Sequence, residues 1–365
     1  MTTRTSHTSE VRADQAASKK LETLKLGLDV HADSIVVVRI LENSAPQPAQ
    51  KFTPDKFLVW VKTQLTLAER VHSCYEAGPF GYGLHRDLVR LGVRNVVVQP
   101  VCLDEQHKGV NHDKSDAQQL ALRLDRQVAG NTRALATVRV PTPEEEQQRI
   151  ESRQREQLKR EVQRVAAQGR SLLLTQGQRE KKGWWKTRRW EELRRQLPVW
   201  LLERLEVFRR VLATLEAELD AATRALEAVA PAVRPKGLGG LTYETVQREI
   251  GDWNRFANRR QVGSYTGLCG GVSASGQIHH LLPITKHGNV RLRTALVVLA
   301  WRLVIWQPES PLIKKWWPVI GQPRATKAAR KKAIVAIARQ MAVDLWRWRT
   351  GRVTPQALGW TMVGE

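Results

Sequence analysis

Cysteine is scarce in this sequence. Its three cysteines, Cys74, Cys102 and Cys269, lie far apart with no CxxC pair, so neither a disulfide framework nor a cysteine zinc site is encoded. A reducing cytoplasm suits such a chain. Long apolar runs are missing too. No stretch has the length of hydrophobic sequence needed to cross a bilayer, and the first twenty residues are polar and mixed in charge, without the apolar segment of an export signal. No membrane partner is expected. Acidic residues are the third deficit: 36 Asp plus Glu stand against 59 Lys plus Arg, a net charge of +23. Such a field favours polyanions, because each neutralised phosphate releases condensed counterions.

At 365 residues the chain is long enough for two or three domains, each with its own core. Residues 1–22 read as a disordered tail. From Leu24 short β-branched runs alternate with turns: Leu24 to Val30, Ser34 to Ile40, Val71 to Tyr75 and Val93 to Gln99. These are expected strands, the second and fourth apolar enough to be buried in a sheet. Gly81 to Leu91 has helical spacing and ends at Gly92, giving a strand, crossover helix, strand unit. Leu120, Leu124 and Val128 then recur on one face of a helix spanning Lys114 to Val128.

Pro141 and Pro143 punctuate a boundary, and Glu144 to Ala230 is rich in helix formers. Leu201, Leu205, Phe208, Leu212, Leu215, Leu219, Ala222, Leu226 and Val229 form a heptad seam, with a weaker companion at Leu158, Val162, Val165 and Leu172. An antiparallel hairpin within the chain and a coiled coil between subunits both satisfy this pattern. Between the seams, Lys181, Lys182, Lys186, Arg188 and Arg189 interleave with Trp184, Trp185 and Trp190. Cations that track phosphates beside indoles that stack on unpaired bases make this an expected nucleic-acid surface. A second basic, tryptophan-bearing stretch, Ala325 to Arg349, closes the helical C-terminal part.

Two constellations carry chemistry. Asp29 and Glu76 end the first and third strands, and Asp113 and Asp116 open the next helix, where residues three apart share a face. Singly, each is an ordinary turn or cap residue. Together they form a hard-oxygen set suited to Mg²⁺ and phosphodiester transfer, in an order analogous to ribonuclease-H-like nucleases. In the C-terminal part, Lys236 to Gly240 is a glycine-rich turn before a helix, and Gly267 to Gly276 is a small-residue segment containing Ser273 and Ser275. A serine in a flexible loop can act as a nucleophile where cations lower the cost of its alkoxide. Lys286, Arg291 and Arg293 are the expected phosphate clamp.

Four segments in this order, Gly27-Leu28-Asp29-Val30-His31, Tyr75-Glu76-Ala77-Gly78-Pro79, Asp113-Lys114-Ser115-Asp116-Ala117 and Ser275-Gly276 through Gly288-Asn289, resemble the IS110 family of insertion-sequence transposases. The resemblance covers Leu24 to about Trp306. It implies a fold that is α/β plus α: a RuvC-like (ribonuclease-H-like) domain at 23–140, a coiled-coil helical connector at 141–232 and a mostly helical transposase domain at 233–352, with 353–365 as a tail. It implies that Asp29, Glu76, Asp113 and Asp116 bind Mg²⁺ and that Ser275, which directly precedes Gly276, attacks DNA to form a phosphoserine link. Dimers assembling into a tetramer on DNA are also implied, with each working site drawn from two subunits. So is a structured noncoding guide RNA that pairs with target and donor DNA. Two other readings remain open: a RuvC-like endonuclease in which water is the nucleophile, and a nucleic-acid-binding protein without catalysis.

Overall fold

The computed structural model describes residues 20–100, 113–275 and 278–364, the side chains of Asp113, Ala274, Ser275, Ile278, His279 and Leu281 excepted. Chain contacts divide it into two compact units, Met1–Val140 and Pro141–Glu365.

The first unit is a five-stranded sheet covered on both faces. Its elements are β1 (Leu21–Val30), β2 (Ile35–Leu41), β3 (Gln50–Phe52), α1 (Pro54–Leu67), β4 (Ala68–Glu76), α2 (Gly83–Arg90), β5 (Arg94–Val98) and α3 (Asp113–Val128). The strand order is β3-β2-β1-β4-β5. The β1–β2 and β2–β3 pairs are antiparallel, and β1–β4 and β4–β5 are parallel. Strand side chains alternate between faces, so Leu24, Leu26 and Leu28 meet Phe57, Val61 and Leu88 of α1 and α2 on one side. Val36, Val38 and Ile40 meet Ala117 and Ala121 of α3 on the other. All four strands expected from the sequence are present; β3 and α1 are additions.

The second unit is mostly helical. Its elements are α4 (Pro143–Thr175), α5 (Thr187–Arg194), α6 (Val199–Ala228), β6 (Arg234–Pro235), α7 (Gly240–Ile250), α8 (Arg259–Thr266), β7 (Gly270–Ser275), β8 (Ile278–Ile284), α9 (Val290–Trp306), α10 (Pro311–Ile320), α11 (Lys327–Arg349) and β9 (Met362–Val363). α4 starts at a capping box: the Glu145 N–H donates to Thr142 Oγ1 (3.2 Å) and the Thr142 N–H to Glu145 Oε2 (3.0 Å), with Pro143 in the first turn. The heptad seam pairs within the chain. Val162, Val165 and Leu173 of α4 pack with Leu201, Leu205 and Leu212 of α6, and Arg155 Nε donates to Thr223 Oγ1 (3.0 Å), so α4 and α6 run antiparallel.

The C-terminal helices α7 to α11 enclose a common core that includes Leu296, Leu299, Ile337 and Met341. The last residues are not the separate tail expected over 353–365. β9 pairs with β6 and Trp360 enters the core, so the chain end closes the unit. Among the described residues no helix is long and apolar enough to cross a membrane.

Candidate active site

Asp29 and Glu76 are brought to one edge and one face of the sheet by register. In the parallel β1–β4 pair Leu28 aligns with Tyr75, so the next residues along, Asp29 and Glu76, are neighbours at the carboxyl ends of adjacent strands. Parity places Asp29 with Lys25 and Gly27, and Glu76 with Cys74. This is the α3 face: Cys74 packs with Leu120 and Leu124, and its Sγ donates to the Leu120 carbonyl (3.4 Å).

Helix α3 is held across β1 at two points. Lys25, buried, binds Asp125 (Nζ to Oδ1, 2.6 Å) near the helix C-terminus. At Gly27 the helix backbone comes so close that a Cβ would stand 2.2 Å from the Ala117 carbonyl oxygen and 2.3 Å from the Ala121 nitrogen. These two contacts orient α3 antiparallel to β1. Two strand residues from Gly27 to Asp29 advance about 6.6 Å, and four helical residues from Ala117 back to Asp113 advance about 6 Å. The opening turn of α3, with Asp113 and Asp116, therefore lies toward the strand ends that carry Asp29 and Glu76.

Asp29 Oδ2 is bonded to His31 Nε2 (3.0 Å), and the His31 N–H closes a turn onto the Ser34 carbonyl (2.8 Å). Glu76 is half-buried, with Oε1 shielded from solvent. Burial, and secondarily the Glu76 charge, push the neighbouring Cys74 thiol well above its ordinary range, which leaves it an inert core group. Among the described residues no three His, Cys, Asp or Glu side chains stand as a metal-holding group, and the Asp113 side chain lies outside those described.

Ser275 lies on a β-strand, where the sequence suggested a flexible small-residue segment. It is the last residue of β7, in register with Ile278 of β8, while residues 276–277 lie outside those described. Ser273 is exposed and stands opposite His280. Beyond the hairpin, Gly288 (φ 148°) crosses so near Tyr265 that a Cβ would meet its carbonyl oxygen at 2.6 Å. Asn289 then caps α9: Oδ1 accepts from the Arg291 and Leu292 N–H groups (both 3.0 Å), and Nδ2 donates to Glu249 Oε2 (2.7 Å).

The expected phosphate clamp is divided. Lys286 is exposed, at a left-handed φ of 57°. Arg291 is ion-paired to Glu156 (Nε to Oε2, 2.6 Å), and Arg293 donates to the Thr266 and Lys286 carbonyls (3.3 and 3.2 Å). A phosphate would have to compete with these partners.

The tryptophan-rich segment needs a correction. Trp184 is wholly buried, its Nε1 donates to the Ala166 carbonyl (2.9 Å), and a Cβ on Gly169 of α4 would collide with its ring. It fills the α4–α6 core and cannot stack on a base. Trp190 is likewise buried, and Trp185 is half-buried with Nε1 shielded from solvent. Lys181, Lys182 and Arg188 are exposed, whereas Arg189 is tied to Glu180 and Glu192.

Sequence reasoning missed Glu249. Its carboxylate, nearly inaccessible to solvent, takes two bonds from Arg153 (3.0 and 2.9 Å) and one from Asn289, joining α4 to the start of α9. With Glu244, Arg248 and Asp252 close by in the chain, nothing in the sequence singles it out. The parts that Gly27 and Lys25 play in seating α3 were not legible either, because they depend on what crosses them.

Residues 234–314 match the family described as Transposase IS116/IS110/IS902 family. Over 300 residues the chain is 34% identical to y4rJ of Sinorhizobium fredii, named as a transposase, with 75% of each chain covered. A second protein of that organism, y4qE, also named as a transposase, is 30% identical over 76% of this chain and 75% of its own length. The transposase for insertion sequence element IS1111A of Coxiella burnetii is 32% identical over 38% of this chain and 37% of its own.

Proposed function

The chain belongs to the IS116/IS110/IS902 family of transposases, and from that membership we propose that it cuts and rejoins donor and target DNA through a covalent bond to Ser275, with Asp29, Glu76, Asp113 and Asp116 as its magnesium site. The observation that carries the carboxylate half is the convergence of the Asp29 and Glu76 strand ends with the opening turn of α3. The sheet order and polarity support a RuvC-like assignment of residues 23–140. Hard carboxylate oxygens are a fitting donor set for Mg²⁺, and the close crossing at Gly27 supports a contribution from the start of α3. When bound there, the ion would offset negative charge at the reacting phosphate.

Ser275 performs the transfer. Its Oγ forms a bond to phosphorus as one P–O bond to a deoxyribose breaks, and the hydroxyl proton ends on the leaving deoxyribose oxygen. One phosphodiester replaces another, so no nucleoside triphosphate is consumed. Lys286 is the exposed cation that steadies the phosphate, and Lys181, Lys182 and Arg188 add charge along the helical arm. Guide RNA, assembly of dimers into a tetramer on DNA, and a cytoplasmic, nucleoid-associated setting complete the reading. Specificity by base pairing would leave the protein to recognise backbone and shape.

The test is a denaturing gel of protein incubated with Mg²⁺, the element's flanking noncoding RNA, and labelled donor and target DNA. A protein–DNA adduct is expected, lost in Ser275→Ala and in Asp113→Ala and kept in Ser273→Ala. Cleavage without adduct would replace this reading with hydrolysis by a RuvC-like endonuclease.

A further inference from the structure

We propose that the groove between α8, the β7–β8 hairpin and α11 is a docking track for the sugar–phosphate backbone of a DNA strand. The groove encloses about 840 Å³. Arg259 and Arg260 enter it from the first turn of α8, and Lys331, Lys332 and Arg339 enter it from α11. All five are exposed.

What marks them is that they gather around one groove without internal partners. Elsewhere in this unit Arg153, Arg248 and Arg291 each hold a glutamate. The five groove cations form no ion pair among the described residues. Like charges gathered around one cavity without a carboxylate repel each other, and an anion seated between them removes that cost.

Spacing and floor identify the anion. Lys331, Val335, Arg339 and Val343 recur every four residues on one face of α11. From Lys331 to Arg339 the helix rises about 12 Å, an axial length of duplex over which one strand carries three to four phosphates at a rise of about 3.4 Å each. Between the cations the floor is apolar, including Leu282, Ile284 and Val335. Gln340, the neutral polar side chain of the lining, already donates to Asp344 (2.9 Å). Such a floor suits the C2′ methylene of deoxyribose and offers a ribose 2′-hydroxyl only the Gln340 amide oxygen as a side-chain acceptor. The occupant is therefore DNA.

The groove reaches the hairpin at its base, Gly270, and Ser275 lies five residues along β7, about 17 Å away. A strand seated there is held short of the serine. This assignment rests on the chain acting on DNA and is independent of the serine chemistry; α11 also lies beyond the matched segment, residues 234–314.

The experiment is fluorescence anisotropy of the full chain with a labelled DNA duplex and an RNA duplex of the same sequence, from about 0.05 to 0.2 M salt. For DNA, Lys331→Ala/Lys332→Ala/Arg339→Ala is expected to reduce the slope of log K against log salt by about 2 to 3. It should also weaken binding ~10- to 100-fold at physiological salt. Lys331→Arg/Lys332→Arg keeps the slope, which a misfolded protein would not, and Lys56→Ala/Lys62→Ala on α1 leaves it unchanged. An unaltered slope in the triple variant, an equal loss in the α1 variant, or an equal loss for RNA overturns the assignment. If no adduct forms on any DNA but the triple variant loses its slope, the serine reading fails and the groove stands. If the adduct forms and the slope is unaltered, the groove alone fails.

Discussion

Glu249 carries opposing influences that decide how the C-terminal unit responds to acid. Burial alone would raise its carboxyl, but the Arg153 guanidinium, the Asn289 amide and the charge of Arg291 outweigh burial and hold it below its ordinary 4.5. A carboxylate depressed in the folded state contributes stability above its unfolded value, and that contribution disappears as pH falls through the lower folded value. Glu249→Gln should therefore flatten the loss of stability below about pH 4.5. At neutral pH it should cost about 2 kcal/mol, less than a fully buried pair because Arg153 remains 43% exposed. Urea unfolding midpoints across pH measure both effects, and parallel acid profiles for wild type and variant would remove Glu249 from this role.

At the scale of elements, α3 decides whether the carboxylates converge, and Gly27 decides where α3 lies. Gly27→Val puts side-chain atoms where the Ala117 and Ala121 backbone already stands, and relief requires the whole helix to move. We expect a loss of about 1 to 3 kcal/mol and a drop in DNA joining larger than Asp29 and Glu76, both unmutated, would suggest. Full joining activity with wild-type stability would show that the helix is not fixed there. Much of this unit was legible in the sequence: β-branched runs gave four strands, with Asp29 and Glu76 at the ends of two of them. α1 was not, because its buried residues Phe57, Val61 and Gln64 are interleaved with exposed Val59 and Lys62, which blurs the helical stripe. The β7–β8 hairpin escaped because Gly270, Gly271, Ser273 and Ser275 are poor strand formers; pairing with β8 overrides them. Trp184 misled for a third reason. Lysines and arginines around it do face solvent, but Gly169, which makes room for its ring, is fifteen residues upstream on helix α4.

The whole molecule combines a field of +23 with two units that have separate cores: one around Leu24, Phe57 and Val97, the other around Leu296, Ile337 and Met341. Units with their own cores are expected to fold as separate fragments, cut where few contacts cross the chain, so residues 20–140 and 141–365 should each unfold cooperatively when expressed alone. Metal linkage then separates them. A ligand bound only to the folded state adds about 2.7 kcal/mol at a hundred times its dissociation constant. The carboxylates proposed for Mg²⁺ all lie in the first fragment, so Mg²⁺ should raise the unfolding midpoint of 20–140. The same ion should leave 141–365 unmoved, and Asp29→Asn/Glu76→Gln in 20–140 should abolish the rise. Scanning calorimetry with and without Mg²⁺ measures this directly. Equal shifts in both fragments would reduce the effect to general salt screening and withdraw Asp29 and Glu76 as ligands, because a site built from four side chains stabilises only the unit that carries them.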